Sequence, residues 1–167
     1  MTNDLTNIKI QVITVSDRAS KGIYEDESGS LLKQLLTEKG GNCSEVILIP
    51  DKISKIQKAI TKSVKKHDLV ITTGGTGINP KDKTPQATKE ILDYEIPGIS
   101  EILRIKSFEK VPTSILSRAV SGVINKTLII NIPGSKGAVK DFVAFMSPVL
   151  LHSIKEIKNK EHNLTND

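Results

Sequence analysis

The sequence predicts an α/β layer fold with a mostly parallel sheet and one antiparallel strand. Short apolar runs closed by turn residues alternate with amphipathic stretches of helical period, the pattern of strand–helix–strand units. Two late apolar runs are separated only by Asn125-Lys126, a two-residue hairpin that demands an antiparallel pair. The chain has 167 residues, which favours a single domain with a core of its own.

Residues 8–15 alternate and then run apolar, a first strand ended by Ser16-Asp17-Arg18. A polar loop with Gly22 leads to a helix over 27–39, whose stripe is Leu31, Leu32, Leu35 and Leu36 and whose stop is Gly40-Gly41. A second strand over 43–49 is closed by Pro50-Asp51. Ile53, Ile56, Ile60 and Val64 share one face of the next helix. A third strand covers 68–73. Thr84-Pro85 starts a helix that runs to about Tyr94, with Pro where its missing N–H costs nothing. Pro97-Gly98 marks a turn, and Ile99, Leu103 and Phe108 a further helix. A short helical turn is expected over 114–118, then the hairpin strands 119–124 and 127–132. After Pro133-Gly134-Ser135 a helix should run to about Met146, be broken by Pro148, and resume to about Lys158. The tail from Asn159 is polar and expected to fray.

Composition excludes several classes. Net charge is +5, from 24 basic and 19 acidic residues, and many lysines fall on solvent faces of helices, so nucleic-acid binding is not indicated. A single cysteine, Cys43, rules out an intrachain disulfide, and no Cys/His pattern has zinc spacing. No signal pattern opens the chain, and no apolar run suggests a membrane span, so the reading is cytoplasmic.

The richest stretch is LVITTGGTGINPKDKTPQA over 69–87. A strand opens into Thr73-Gly74-Gly75-Thr76-Gly77, then an acid, Asp82, then a helix start. Glycines let backbone N–H groups approach a phosphate, and a helix N-terminus adds positive potential. An acid beside phosphate calls for a cation between them. In open α/β sheets ligands bind at the carboxyl ends of strands. Those ends deliver Ser16-Asp17-Arg18, Asp51, the glycine loop with Asp82, and Pro133-Gly134-Ser135. Two glycine-bearing cradles and three carboxylates would therefore converge on one edge. Each has a plainer reading: Asp51 as a helix N-cap, Asp17 as a turn or cap residue, Ser135 as the cap of its helix. Arg104 and Arg118 are candidate phosphate contacts or ordinary surface arginines. His67, His152 and His162 are scattered and receive no chemistry. Neither GxxxxGK[ST] nor GxGxxG occurs.

TTGGTG followed by Asp82-Lys83-Thr84-Pro85 resembles the molybdopterin-binding domain family of molybdenum cofactor synthesis. Val15-Ser16-Asp17-Arg18, Ile49-Pro50-Asp51, Ile96-Pro97-Gly98, Leu116-Ser117-Arg118 and Asn131-Ile132-Pro133-Gly134-Ser135 complete the set in order, over residues 8–157 of a single domain. The resemblance implies a three-layer α/β/α fold, a homotrimer, and adenylyl transfer from ATP, with Mg²⁺, to the terminal phosphate of molybdopterin. Other proteins of that pathway would be partners, and neither nucleic acid nor membrane would be. It implies that Asp51 and Asp82 hold Mg²⁺. Gly74 to Gly77 would contact phosphates, with Thr73 and Thr76 in the same loop. Gly134 and Ser135, after Pro133, would form a second cradle, Ser117 and Arg118 would contact the pterin or its phosphate, and Ser16 and Asp17 would line the pocket. Lys81, Gln86 and Lys136-Gly137 depart from the residues usual there, namely arginine, glutamate and proline. A non-catalytic pterin-binding protein and a nucleotide or pterin pyrophosphate hydrolase are the competing readings.

Overall fold

The computed structural model describes residues 4–159; His162 and the tail beyond Asn159 lie outside them. The described residues form seven strands in one sheet: β1 (Lys9–Val15), β2 (Asn42–Cys43), β3 (Ile47–Ile49), β4 (Leu69–Thr73), β5 (Tyr94–Glu95), β6 (Ser121–Ile124) and β7 (Thr127–Ile132). The order is β2-β1-β4-β7-β6-β5, with β3 beside β2 on the same flank of β1. β1, β2, β3, β4 and β7 pair in parallel, and only β6 runs against its neighbours.

Among the described residues six α-helices cover the sheet: α1 (Asp17–Ser20), α2 (Glu27–Glu38), α3 (Ile53–Ser63), α4 (Thr84–Lys89), α5 (Pro97–Phe108) and α6 (Lys136–Lys158). The strands' period of two divides the core between the faces. Ile10 and Val12, Leu69 and Ile71, Leu128 and Ile130 meet Leu32 and Leu36 of α2 and Val139, Phe142 and Met146 of α6. Ile13 and Val15, Val70, and Ile129 meet Ile56 and Ile60 of α3 and Ala87 of α4. This is the three-layer α/β/α arrangement.

Several local expectations are corrected. The strand expected over 43–49 is interrupted: Gln11 Nε2 reaches Glu45 O at 2.7 Å, so a side chain fills the ladder between β2 and β3. The helix from Thr84 stops at Lys89, and Tyr94–Glu95 joins the sheet instead. Asp93 N–H donates to Val123 O and Ile96 N–H to Ser121 O, both at 2.8 Å, which fixes that edge. Ser16-Asp17-Arg18 opens a short helix, capped by Ser16, where a loop was expected.

Pro148 does not break the last helix. α6 runs through it for 23 residues, because buried residues on both sides, Phe142, Val143 and Met146 before and Leu150 and Ile154 after, hold one stripe against the sheet. Contrary to the sequence reading, α6 is long and apolar enough to cross a membrane by length and composition. That apolarity belongs to a core helix, since the same stripe is buried on the sheet.

Candidate functional site

A cleft of about 1210 Å³ lies at the carboxyl edge of the parallel strands. Ser16, Asp51, Thr73, Gly74, Gly75, Thr76, Gly77, Asp82, Ser117, Pro133, Gly134 and Ser135 all line it. The loops after β1, β3, β4 and β7 thus meet, as parallel pairing requires. Asp17 and Arg118 stand just behind the wall, and Lys81 and Gln86 lie away from it; Lys136 and Gly137 are part of it.

The loop after β4 is tied on every side. Gly74 N–H donates to Ile132 O at 3.0 Å, and Thr73 Oγ1 donates to Pro133 O at 3.1 Å, which joins the two glycine-bearing loops. Thr84, the first residue of α4, donates its hydroxyl to Gly74 O at 2.9 Å and its N–H to Gly75 O at 3.1 Å. Gly74 and Gly75 have φ of +100° and +66°, the left-handed region that favours glycine. A Cβ on Gly75 would sit 2.5 Å from Thr84 Oγ1 and 2.6 Å from Asp51 Oδ1. The N–H groups of Gly75, Thr76 and Gly77 have no acceptor among the described residues. They are the open donors an anion needs.

Arg118 explains the shape of this loop. Its Nε donates to Gly77 O at 2.8 Å and its Nη2 to Asp82 O at 3.0 Å, while its own N–H donates to Thr76 O. The guanidinium fork therefore holds backbone carbonyls and positions the loop. Arg104 likewise donates to Ala119 O at 3.1 Å. Asp82 Oδ2 accepts from Asn79 N–H at 3.1 Å in a tight turn beside Gly77.

Asp51 is the most unusual group in the cleft. It does not cap α3, whose N-cap is Lys52 with no side-chain bond. Asp51 and Asp17 exchange bonds: Asp17 N–H donates to Asp51 Oδ2 and Asp51 N–H to Asp17 Oδ1, each at 3.0 Å. Asp51 Oδ1 is buried with no hydrogen-bond partner among the described residues. Burial pushes its carboxyl above the usual range, the Asp17 N–H opposes this, and the charges of Asp17 and Asp82 add to it. An orphaned carboxylate oxygen beside two further acids is a place for a cation. Among the described residues no three His, Cys, Asp or Glu gather as a full ligand cage. Magnesium does not need one, since it keeps waters and takes one or two carboxylates with substrate phosphates. The residues present fit it.

The second cradle starts α6. Ser135 caps the helix, its Oγ accepting from Ala138 N–H at 3.1 Å. The N–H groups of Gly134, Ser135, Lys136 and Gly137 have no acceptor among the described residues. Behind both loops, buried Asn131 donates to Thr72 Oγ1 at 2.8 Å and Thr88 Oγ1 at 3.0 Å, which ties β4, β7 and α4 together.

Several cleft residues escaped the sequence reading. Asp26 caps α2 through Gly29 N–H and accepts from Thr14 Oγ1 at 2.6 Å. Lys110 of the α5–β6 connection pairs with Asp141 of α6 at 2.6 Å. Tyr24 stands in the loop before α2. The one available signal was Tyr24 itself, an aromatic in a polar loop of a chain with 3% aromatics. His67 bonds Ser44 Oγ and Ser63 O far from the cleft, and exposed His152 lies on α6.

Residues 11–152 match a family described as a probable molybdopterin binding domain. The chain is 39% identical over 154 residues to a molybdopterin adenylyltransferase of Helicobacter pylori strain J99, covering 90% of this chain and 88% of that one. The solved Mog protein of molybdopterin biosynthesis from Mycobacterium ulcerans superposes with a TM-score of 0.85 at 40% identity, over 90% of this chain and 99% of that one. The tungsten cofactor synthesizing protein MoaB from Pyrococcus furiosus does so with 0.84 at 34% identity, over 91% and 98%. With this fold, these loops and these likenesses, the chain belongs to the molybdopterin-binding domain family.

Proposed function

We propose that this chain transfers the adenylyl group of ATP to the terminal phosphate of molybdopterin, releasing pyrophosphate. The observation that carries this reading is Asp51 Oδ1, a buried carboxylate oxygen without a partner among the described residues, set beside the glycine loop whose backbone N–H groups are open. The family and the 39% identical adenylyltransferase support it.

In the reaction an oxygen of the molybdopterin phosphate forms a bond to the α-phosphorus of ATP. The bond from that phosphorus to the bridging oxygen breaks, and pyrophosphate leaves with the electron pair. Both reactants are polyanions, so positioning and charge neutralisation dominate the barrier. Gly75, Thr76 and Gly77 donate to the phosphates of one reactant. Gly134, Ser135 and the first turn of α6 hold the phosphate of the other. Asp51 and Asp82 are the residues that would hold Mg²⁺, which when bound offsets phosphate charge. Ser117 lines the cleft beside Thr76, Asp17 orients Asp51, and Arg118 orients the glycine loop. Exposed Ile102, Ile105 and Phe108 on α5 and Ile115 on the 3₁₀ turn Pro112–Leu116 offer an apolar surface for self-association; the homotrimer itself is what the family resemblance implies, and sedimentation velocity would test it. The same reading carries a cytoplasmic location.

The test is pyrophosphate release from Mg-ATP, with and without molybdopterin, beside Asp82→Asn. Release that needs both molybdopterin and Asp82 is expected. An active Asp82→Asn protein would remove Asp82 from the metal site. Pterin binding without release would make the chain a non-catalytic binding protein.

A further inference from the structure

We propose that Tyr24 is the ring platform of the cleft, the side chain against which a planar nitrogen heterocycle of a substrate stacks. Its role rests on the adenylyl-transfer reading, because both reactants carry such a ring: a purine on ATP and a pterin on molybdopterin. Of the chain's three Phe and two Tyr, Tyr24 is the one that lines the cleft. The glycine loops and Asp51 provide for phosphates and a cation and leave the ring of either substrate without a flat partner.

Tyr24 is braced for that task. Its phenol oxygen lies 2.8 Å from Ser16 Oγ, and the Arg18 guanidinium sits 5.2 Å from its ring centroid. Yet the side chain stays 48% exposed at the edge of the cleft. A tyrosine fixed at its hydroxyl and by a cation at its ring has already given up much of its rotamer freedom. A stacking partner then binds with less entropy to lose. The brace also leads to the reaction centre. Ser16 caps α1, and the first residue of that helix, Asp17, exchanges hydrogen bonds with Asp51. A ring held on Tyr24 is therefore registered to the carboxylate that faces the phosphates.

Tyrosine emission reads this contact directly, since the chain has no Trp and only one other tyrosine, Tyr94. In a Tyr94→Phe background, ATP and 6-hydroxymethylpterin are titrated as ring-bearing probes, with tripolyphosphate as the ringless control. One or both rings should quench the emission, and tripolyphosphate should not. By calorimetry, Tyr24→Ala should weaken the responding probe about tenfold, and Tyr24→Phe, which keeps the ring, by less than about threefold. The probe that responds identifies which ring the platform takes. Absence of quenching by both ring-bearing probes, or Tyr24→Ala binding both like the unaltered chain, would overturn the assignment. Equal weakening in Phe and Ala would overturn it too, by placing the effect in the bond to Ser16. None of these titrations needs turnover, so failure of pyrophosphate release in the unaltered chain would count against the transferase reading alone.

Discussion

The two glycine-bearing loops of the cleft serve the same edge of the sheet and are built in different ways. The loop after β4 is a strained turn, with left-handed backbone at Gly74 and Gly75 and side chains from Thr84 and Arg118 holding its carbonyls. The loop after β7 has no left-handed residue and relies on a helix cap at Ser135. Gly134 is there for close approach, because a Cβ on it would lie 3.1 Å from Gly74 Cα. In the first loop the glycines are demanded by conformation and in the second by space. The first should therefore tolerate change far less.

The sharpest way to break this comparison is to add one methyl group to each loop. Gly75→Ala meets a φ of +66° and the two side-chain oxygens on Asp51 and Thr84, so the loop must move. Misplacing a phosphate cradle by about 1 Å costs on the order of 10²-fold in rate, and a loss of that size in kcat/KM is expected. Gly134→Ala asks only that the neighbouring backbone give by a few tenths of an ångström, and should cost about tenfold or less. Steady-state pyrophosphate release on the two variants checks the order; equal losses would erase the distinction.

Next in size is Arg118. Its fork spans Gly77 O and Asp82 O, a pair of acceptors that a lysine ammonium cannot match in one geometry. Arg118→Lys should lower kcat/KM by about tenfold although the charge is kept. Were Arg118 a direct phosphate contact, lysine would restore most of the activity, and the loss would track phosphate affinity.

Asp51, which borders the first loop alone, gives a smaller effect that appears in stability. Its carboxyl is raised above its ordinary value by burial and by the neighbouring acids. The folded chain therefore keeps a proton that the unfolded chain has already released. The stability this confers is complete below the ordinary aspartate value and is lost as pH rises through the folded one. In chelator at neutral pH, Asp51→Asn should melt a few degrees above the unaltered chain, and at pH 3 the difference should vanish. Added Mg²⁺ should raise the melting temperature of the unaltered chain and leave that of the variant where it was. The reverse order in chelator would mean that Asp51 Oδ1 is not under strain.

The same contrast separates what was legible in the sequence from what was not. The convergence of Ser16, Asp51, Gly74 to Gly77 and Gly134 could be read because parallel strands deliver their following loops to one edge, whatever the side-chain detail. Arg118 could be seen to belong to the site, yet its engagement with backbone carbonyls depends on where the 79–82 turn folds, which no local pattern specifies. Asp26 and Lys110 were hidden because their place in the cleft comes from packing of α2 and α5 over distant chain. Tyr94 reads as helix from sequence because its pairing partner, Val123, lies on a distant strand that no local pattern joins to it. Pro148 reads as a break by local preference alone, and the buried stripe of α6 outweighs its one missing hydrogen bond.

The mildest test falls on the second loop. Ser135→Ala removes the Oγ that accepts from Ala138 N–H and leaves one more donor open in the first turn of α6. Cap loss of this kind costs about 1 kcal/mol. For a chain of this size that is roughly 2–4 °C in melting temperature. The donors of Gly134, Lys136 and Gly137 are untouched, so molybdopterin affinity should fall by no more than a few-fold. If Ser135→Ala instead abolished turnover with the melting temperature unchanged, the hydroxyl would be a direct substrate contact. The second loop would then match the first in chemical demand, and the contrast between a strained cradle and a capped one would fail at that residue.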